Sequence, residues 1–310
     1  MKKFLLSTTK FLLFSFILYT LILCVWGEYC DQEYKKNINY KIGVYGHMHT
    51  RIKELHKTSN IDLLFLGSSH TYRGFDTRIF QGAGYNSFNL GSSAQTPLQT
   101  ELLVNRYIKQ LKPRIIVFEI YPKVFMLDGV ESSIDLLAND KKDWAIAKMM
   151  LSQKNFKSLN TLIYASYRDW FGKDDDFKEP KRKRKDLYIP GGYVERDLEY
   201  YKHKKFKPYS MKIHEYQFEA FKRILNTLKD NNIEVILVQS PTAPNYYNSC
   251  RNNDEFENRI DSLNFEYINY NTILQLDDSL HFYDKDHMNQ KGVDILNKQL
   301  VDYLKAKKEL

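Results

Sequence analysis

Three short, compact and mainly apolar runs constrain this chain most: residues 61–66 (IDLLFL), 114–120 (RIIVFEI) and 233–239 (IEVILVQ). Each is too short for a buried helix and lacks the polar alternation of a strand with one wet face. Each therefore predicts a parallel strand covered on both sides. Residues 85–90 (YNSFNL) and 265–268 (FEYI) predict two more strands. Between them lie helix signals. Thr96 serves as an N-cap, Pro97 takes the first helical position and Gln99 completes a capping box. Leu102, Leu103, Tyr107, Ile108 and Leu111 then repeat on one face. Further helices are expected at about 49–57, 211–230 and 289–307. Strands alternating with helices of this length predict an α/β domain with a parallel sheet and function at the carboxyl ends of its strands.

The amino terminus sets the compartment. Lys2, Lys3 and Lys10 precede residues 11–26 (FLLFSFILYTLILCVW), which carry no charge, and Phe4, Leu5 and Leu6 extend the apolar stretch. A bilayer span needs about 20 such residues. No small-residue cleavage site follows, and Leu23 stands where a lipoprotein signal before Cys24 would need a small side chain. Trp26 and Tyr29 suit a membrane interface, with Glu28, Asp31 and Glu33 beyond it. The excess of lysine on the amino side predicts a cytoplasmic tail (1–10), a signal anchor (11–29) and an extracytoplasmic remainder. The competing readings are a removable signal peptide and an apolar core helix. Residues 30–60 read as a Lys-rich connector and 61–310 as the α/β domain.

A mean hydropathy of −0.52 excludes a polytopic membrane protein. The 310 residues carry 46 Lys+Arg against 38 Asp+Glu, a net charge of +8. In an exported domain that excess is not a reason to expect nucleic acid; anionic lipid or wall polymer is the natural partner. Cys30 and Cys250 would share an oxidising compartment, where a disulfide and two free thiols are both admissible.

Residues 125–210 are too many for one crossover helix and read as an insertion that caps or borders the site. They hold an expected helix at about 142–167, a charged stretch at 173–186 and a turn at Pro190-Gly191-Gly192. The KRKRK run at 181–185 reads either as a polyanion patch or as a solvated loop.

Chemistry collects after the strands. The first run ends in Gly67-Ser68-Ser69-His70, which puts a serine where a helix can begin and supply amides to an oxyanion. A serine nucleophile needs a base, and the base an orienting acid. Asp284 and His287 stand three apart before the last helix (YDKDHMNQKG), a spacing that lets the carboxylate fold back onto Nδ1. Asp286 is a rival orienter. The competing readings are a helix cap for Ser69 and a structural turn for the pair. His47-x-His49, His214-Glu215 and Gly82-x-Gly84 lack the partners of a metal or nucleotide site, so no metal and no cofactor are expected.

In that order, these blocks resemble the SGNH (GDSL-type) hydrolase superfamily. LFLGSSH matches its first block with Ser68 in place of the usual Asp, and YDKDHMNQKG matches its last. The resemblance implies a three-layer α/β/α, flavodoxin-like domain, with Ser69 as nucleophile, His287 as base and Asp284 as orienter. FNLGSSAQTP resembles the second block, which implies an oxyanion hole from the amides of Ser69 and Ala94, with Gly91 as the rival glycine position. The third block departs: FEIYPKVF replaces a Gly-Asn-Asp motif and puts Lys123 at the aligned position. Lys123 and His70 are candidate substrate contacts. The G-S-S block, the missing motif and the amino-terminal anchor resemble the membrane-anchored branch that includes D-alanine transfer and polysaccharide O-acetylation proteins. That likeness implies an ester hydrolase or O-acyltransferase acting on a carbohydrate or wall polymer, with a membrane-bound O-acyltransferase as partner. The alternative is a non-catalytic, membrane-anchored binding or assembly factor for cell-surface polymers.

Overall fold

A computed structural model describes residues 1–31, 33–202 and 204–308. In chain order the elements are helix α1 (Lys2–Tyr29), α2 (Met48–Leu55), strand β1 (Leu63–Leu66), α3 (Ser69–Gly74), α4 (Thr77–Gly82), β2 (Ser87–Asn89), α5 (Pro97–Leu111) and β3 (Ile115–Glu119). A 3-10 turn at Pro122–Met126 leads to α6 (Val130–Asn139), α7 (Trp144–Ser152) and α8 (Phe156–Trp170). Strands β4 (Arg182–Lys183), β5 (Asp186–Ile189) and β6 (Tyr193–Arg196) follow, then α9 (Glu215–Asp230) and β7 (Glu234–Gln239). Short helices α10 (Pro244–Tyr247) and α11 (Asn253–Asp261) precede β8 (Glu266–Asn269), α12 (Tyr270–Ile273) and α13 (Gln290–Lys308).

These elements form two units: Met1–Ile42 with Ser133–Lys178, and Gly43–Ser132 with Glu179–Leu310. The second holds a parallel sheet in the order β2-β1-β3-β7-β8. Counted within the sheet this is the flavodoxin-like order 2-1-3-4-5, whose switch point lies between β1 and β3. Alternate side chains explain the layers. Leu63, Phe65, Val117, Ile236 and Val238 pack with Val293, Leu296, Leu300 and Leu304 of α13. On the other face Phe118 meets Phe221 of α9 edge-on, with centroids 5.2 Å apart, and α5 lies against α9. The strand residues are buried on both sides, as unbroken apolar runs require. The capping box at Thr96 and Gln99 is formed.

The insertion departs from its expected form. The helix at about 142–167 is two helices, because Lys154 turns left-handed (φ 51°) and Asn155 Oδ1 caps the amides of Lys157 and Ser158 at 2.9 and 3.3 Å. The KRKRK run is exposed at four of its five residues and spans a short strand and a turn, with three of its cations paired. Arg182 and Lys183 form β4. Arg182 pairs with Asp197 at 2.8 Å, Lys183 with Glu179 at 2.7 Å, and Lys185 with Glu199. Pro190-Gly191-Gly192 joins β5 to β6, both glycines being left-handed (φ 87° and 91°). Gly191 O accepts from Asn89 N at 2.7 Å, and the buried Arg51 guanidinium donates to Gly192 O at 2.9 Å. This hairpin is thereby fixed to the end of β2.

In the first unit α1 is long and apolar enough to cross a membrane. Leu23, Ile38 and Tyr164 form a small cluster beside it. Cys24, Cys30 and Cys250 are free thiols.

Phe65 is fully buried, stacked on Phe75 and tilted against Phe80 with both centroids at 4.7 Å. Phe65→Ala is expected to lower unfolding free energy by about 3–5 kcal/mol, measured by urea denaturation.

Candidate active site

The sharp turn after β1 sets the geometry. Gly67 has φ 141°, and a Cβ there would meet Thr71 Oγ1 at 2.3 Å and Glu119 O at 2.7 Å. Ser68 caps α3, its Oγ accepting from His70 N at 3.3 Å. Ser69 thus opens the helix with its side chain partly exposed at the carboxyl end of β1. At the other end of the chain, Asp284 Oδ1 accepts from the amides of Asp286 (2.9 Å) and His287 (2.7 Å). That turn folds the carboxylate onto the ring.

The two ends meet across 218 residues: Ser69 Oγ lies 2.8 Å from His287 Nε2. Asp284 holds Nδ1 with both oxygens, at 3.0 and 3.1 Å, and Asp286 Oδ1 stands 3.4 Å away. With the Nδ1 proton facing two carboxylates, Nε2 is the acceptor and the Ser69 hydroxyl donates. Burial works to lower the His287 pKa, but its bonds and charge interactions with Asp284 and Asp286 outweigh this and raise it. Burial likewise favours the neutral Asp286. His287, by its bond and its charge, and then Lys123 prevail and hold that carboxyl well below the usual range.

Asp286 is more than a bystander. Its Oδ2 accepts from the Tyr121 hydroxyl at 3.0 Å and stands 3.7 Å from Lys123 Nζ. Lys123, expected as a substrate contact, therefore pairs with a carboxylate of the site. His70, expected likewise, is buried: its ring lies 3.9 Å from Tyr121 and 4.8 Å from His287. Burial, then His287, push its pKa well below the ordinary histidine value, so it packs as a neutral ring.

Of the two positions expected to serve an oxyanion, Gly91 approaches the turn after β1, where a Cβ would meet Ser68 O at 2.6 Å. Its amide, however, donates to Asn89 Oδ1 at 3.2 Å. Ala94 sits in a left-handed turn (φ 49°), and among the described residues it makes no hydrogen bond with Ser69 or His287. Asp284, Asp286 and His287 are the one group among the described residues spaced to hold a cation. Its ligand atoms already serve the imidazole, two amides, Tyr121 and Lys123.

Tyr283 stacks on His287 at 5.5 Å, and Arg196 of β6 lies 4.7 Å over Tyr283. Arg196 and Arg73 share Asp186 of β5 at 3.1 and 2.7 Å. The β5–β6 hairpin thus borders the site. A cavity of about 510 Å³ lined by Glu54, Thr77, Tyr85, Phe88 and Gly191 includes none of these residues.

Glu119, at the end of β3, was not singled out from the sequence, although an acid closing an otherwise apolar run was the available signal. It is fully buried beneath the nucleophile turn, 3.5 Å from Ser68 Oγ, and its Oε1 has no partner among the described residues. Burial pushes its pKa up to about 8 against weaker pulls from the Tyr121 and Ser240 amides and Ser68. The carboxyl is thus neutral at pH 7.

No family model matches the sequence, and no curated protein does. Two solved structures are similar to the chain. One is a GDSL-like lipase from Bacteroides thetaiotaomicron, 13% identical over 84% of this chain and 98% of that one, with a TM-score of 0.42. The other is a candidate acylhydrolase from Bacteroides fragilis, 11% identical over 84% of this chain and 97% of that one, with a TM-score of 0.41. The chemistry rests on the side chains themselves.

Glu119 sheds its proton near 4.5 when exposed and near 8 in the fold, so the folded state holds the extra proton between those values. Stability is therefore expected to fall as pH rises through that window. Glu119→Gln should remove this fall, read as a flatter dependence of the urea midpoint on pH.

Proposed function

We propose that this protein is a serine-dependent acyl-transfer enzyme working outside the cytoplasm on a cell-surface carbohydrate or wall polymer. The observation that carries the reading is the 2.8 Å approach of Ser69 Oγ to His287 Nε2, with Nδ1 held by Asp284. In the first half-reaction Ser69 Oγ attacks an acyl carbonyl while Nε2 takes its proton. The resulting oxyanion is received by the Ser69 and Ala94 amides. Collapse breaks the ester bond, and His287 returns the proton to the departing alkoxide, leaving acyl-Ser69. In the second half, His287 deprotonates a carbohydrate hydroxyl or water, which attacks the acyl group and releases Ser69. The two carboxylates stabilise the imidazolium formed in each half.

The substrate class follows from different features. A partly exposed serine suits a bulky acceptor, and the apolar α1 with lysines before it supports a membrane-anchored, exported domain. The likeness of the G-S-S and D-x-x-H blocks to the membrane-anchored SGNH branch supports polymer acylation or deacylation. A membrane-bound O-acyltransferase is the partner we infer as source of acyl groups.

Ser69→Ala is expected to abolish labelling by a fluorophosphonate probe and to lower turnover of an acyl ester about a thousandfold or more. An unlabelled wild-type serine would favour the non-catalytic assembly factor. The base must be neutral, and its raised pKa places the acid limb of the rate profile above that of a free histidine. Asp286→Asn removes one negative neighbour and should move that limb to lower pH, whereas Asp284→Asn should cost about 10²–10⁴-fold in kcat. A pH series of kcat/KM on the two variants distinguishes them.

A further inference from the structure

Outside α1, the exposed tryptophans and phenylalanines of the described residues all lie between residues 144 and 171. They are Trp144 (75% exposed), Phe156 (80%), Trp170 (85%) and Phe171 (65%), with Leu151 exposed among them. Such a cluster in water is costly and marks a contact surface. The residues belong to one small element. Helices α7 and α8 pack side by side, with Lys142 Nζ 3.2 Å from Asp169 Oδ1 at the open end and Ser158 Oγ donating to Gln153 Oε1 at 2.7 Å at the closed end. Ile146, Met149, Met150, Tyr164 and Ala165 are buried, so the apolar residues left outside are surplus to this packing.

What covers that surface follows from α1. Helix α8 runs beside it in the same direction: Tyr19 donates to Asn160 Oδ1 at 2.6 Å, Gly27 faces the Tyr164 ring, and Glu28 meets Arg168 at 3.3 Å. Tyr19 lies seven residues before Trp26, about 10 Å along the helix. The start of α8 is therefore level with the apolar part of α1, and its Trp170 end is level with Trp26 and Tyr29. The three tryptophans of the chain, Trp26, Trp144 and Trp170, fall at that one end. Residues 141–171 carry six basic side chains against two acidic ones, which suits anionic headgroups.

We propose that the α7–α8 hairpin is a second membrane element, seated in the leaflet that the carboxyl-terminal half of α1 crosses. Phe156 and Leu151 enter the acyl region, Trp144 and Trp170 join Trp26 in an interfacial belt, and the basic residues at that end, Lys141, Lys142 and Arg168, lie level with the phosphates. The inference rests on α1 being a membrane anchor.

The test uses the full chain in phosphatidylcholine–phosphatidylglycerol vesicles, with one tryptophan retained at a time and Phe at the other two positions. Trp144 alone and Trp170 alone should each lose about half their emission to chain-brominated lipid and resist aqueous iodide, as an interfacial ring does. A Phe156→Trp variant lacking the native tryptophans should be quenched more by deeply placed bromines than by shallow ones. Iodide-accessible rings at 144 and 170 would overturn the proposal, as would protection from iodide without bromine quenching, which would mean that protein covers the face. Trp26 alone reports the anchor separately: its quenching with none at 144 or 170 rejects only the hairpin. No quenching at Trp26 rejects the anchor itself.

Discussion

The larger unit depends on one constraint: a parallel sheet must be covered on both faces. Leu63, Phe65 and Val117 need α13 on one side, and Phe118 needs α9 on the other. Parallel strands joined by helical crossovers send every strand's carboxyl end to the same edge. The Ser69 turn after β1, Gly91 after β2 and Glu119 at the end of β3 accordingly gather there. Closing the sheet with α13 brings the turn before that helix to the same edge. The meeting of Ser69 with His287 is thus a consequence of how the core is buried.

Three carboxyl groups at this edge meet different fates, and the difference is chemical. Glu119 has amides, a hydroxyl and only a weaker pull from His287, so burial dominates and favours its protonated state. Asp286 is also largely buried but faces His287, Tyr121 and Lys123, and stays ionised. Asp284 is the more exposed of the pair on Nδ1 and gains from two backbone amides. The imidazole is therefore oriented by an outer carboxylate bound to the backbone and an inner one bound to side chains. Placing Lys123 against Asp286 also accounts for a lysine at this edge: it balances the second negative charge.

Legibility in the sequence followed the range of the forces involved. The strands could be read because burial on both faces leaves an unbroken run, although their ends fell a residue or two inside it. Ile61, for instance, donates to Leu111 O before β1 begins. The capping box at Thr96 was readable because it is local. Ser69, Asp284 and His287 could be named from residue type and order, but no pattern carries the distance between them. Glu119 was missed because periodicity counts apolar residues and passes over the acid that ends the run. The pairing of the basic run at 181–185 was not legible for a related reason: Asp197 and Glu199 follow β6 and are brought back beside Arg182 and Lys185 by strand pairing, which charge counting does not see.

The seam between α1 and α8 gives the smaller unit its logic. Gly27 admits the Tyr164 ring where a Cβ would stand 2.4 Å from it, so the two helices approach closely only at that residue type. The polar contacts of the seam, Tyr19 with Asn160 and Glu28 with Arg168, would each contribute at most about 1 kcal/mol in water. If α1 spans a bilayer, Tyr19 and Asn160 lie at its apolar depth, where the alternative to their bond is an unsatisfied polar group in hydrocarbon. They also fix the register in which α8 lies along α1. Had α8 been shifted by one turn, Asn160 would lose Tyr19 and the aromatic end would leave the level of Trp26. Polar pairing therefore sets the depth of the hairpin, and the apolar residues on its outer face supply the affinity.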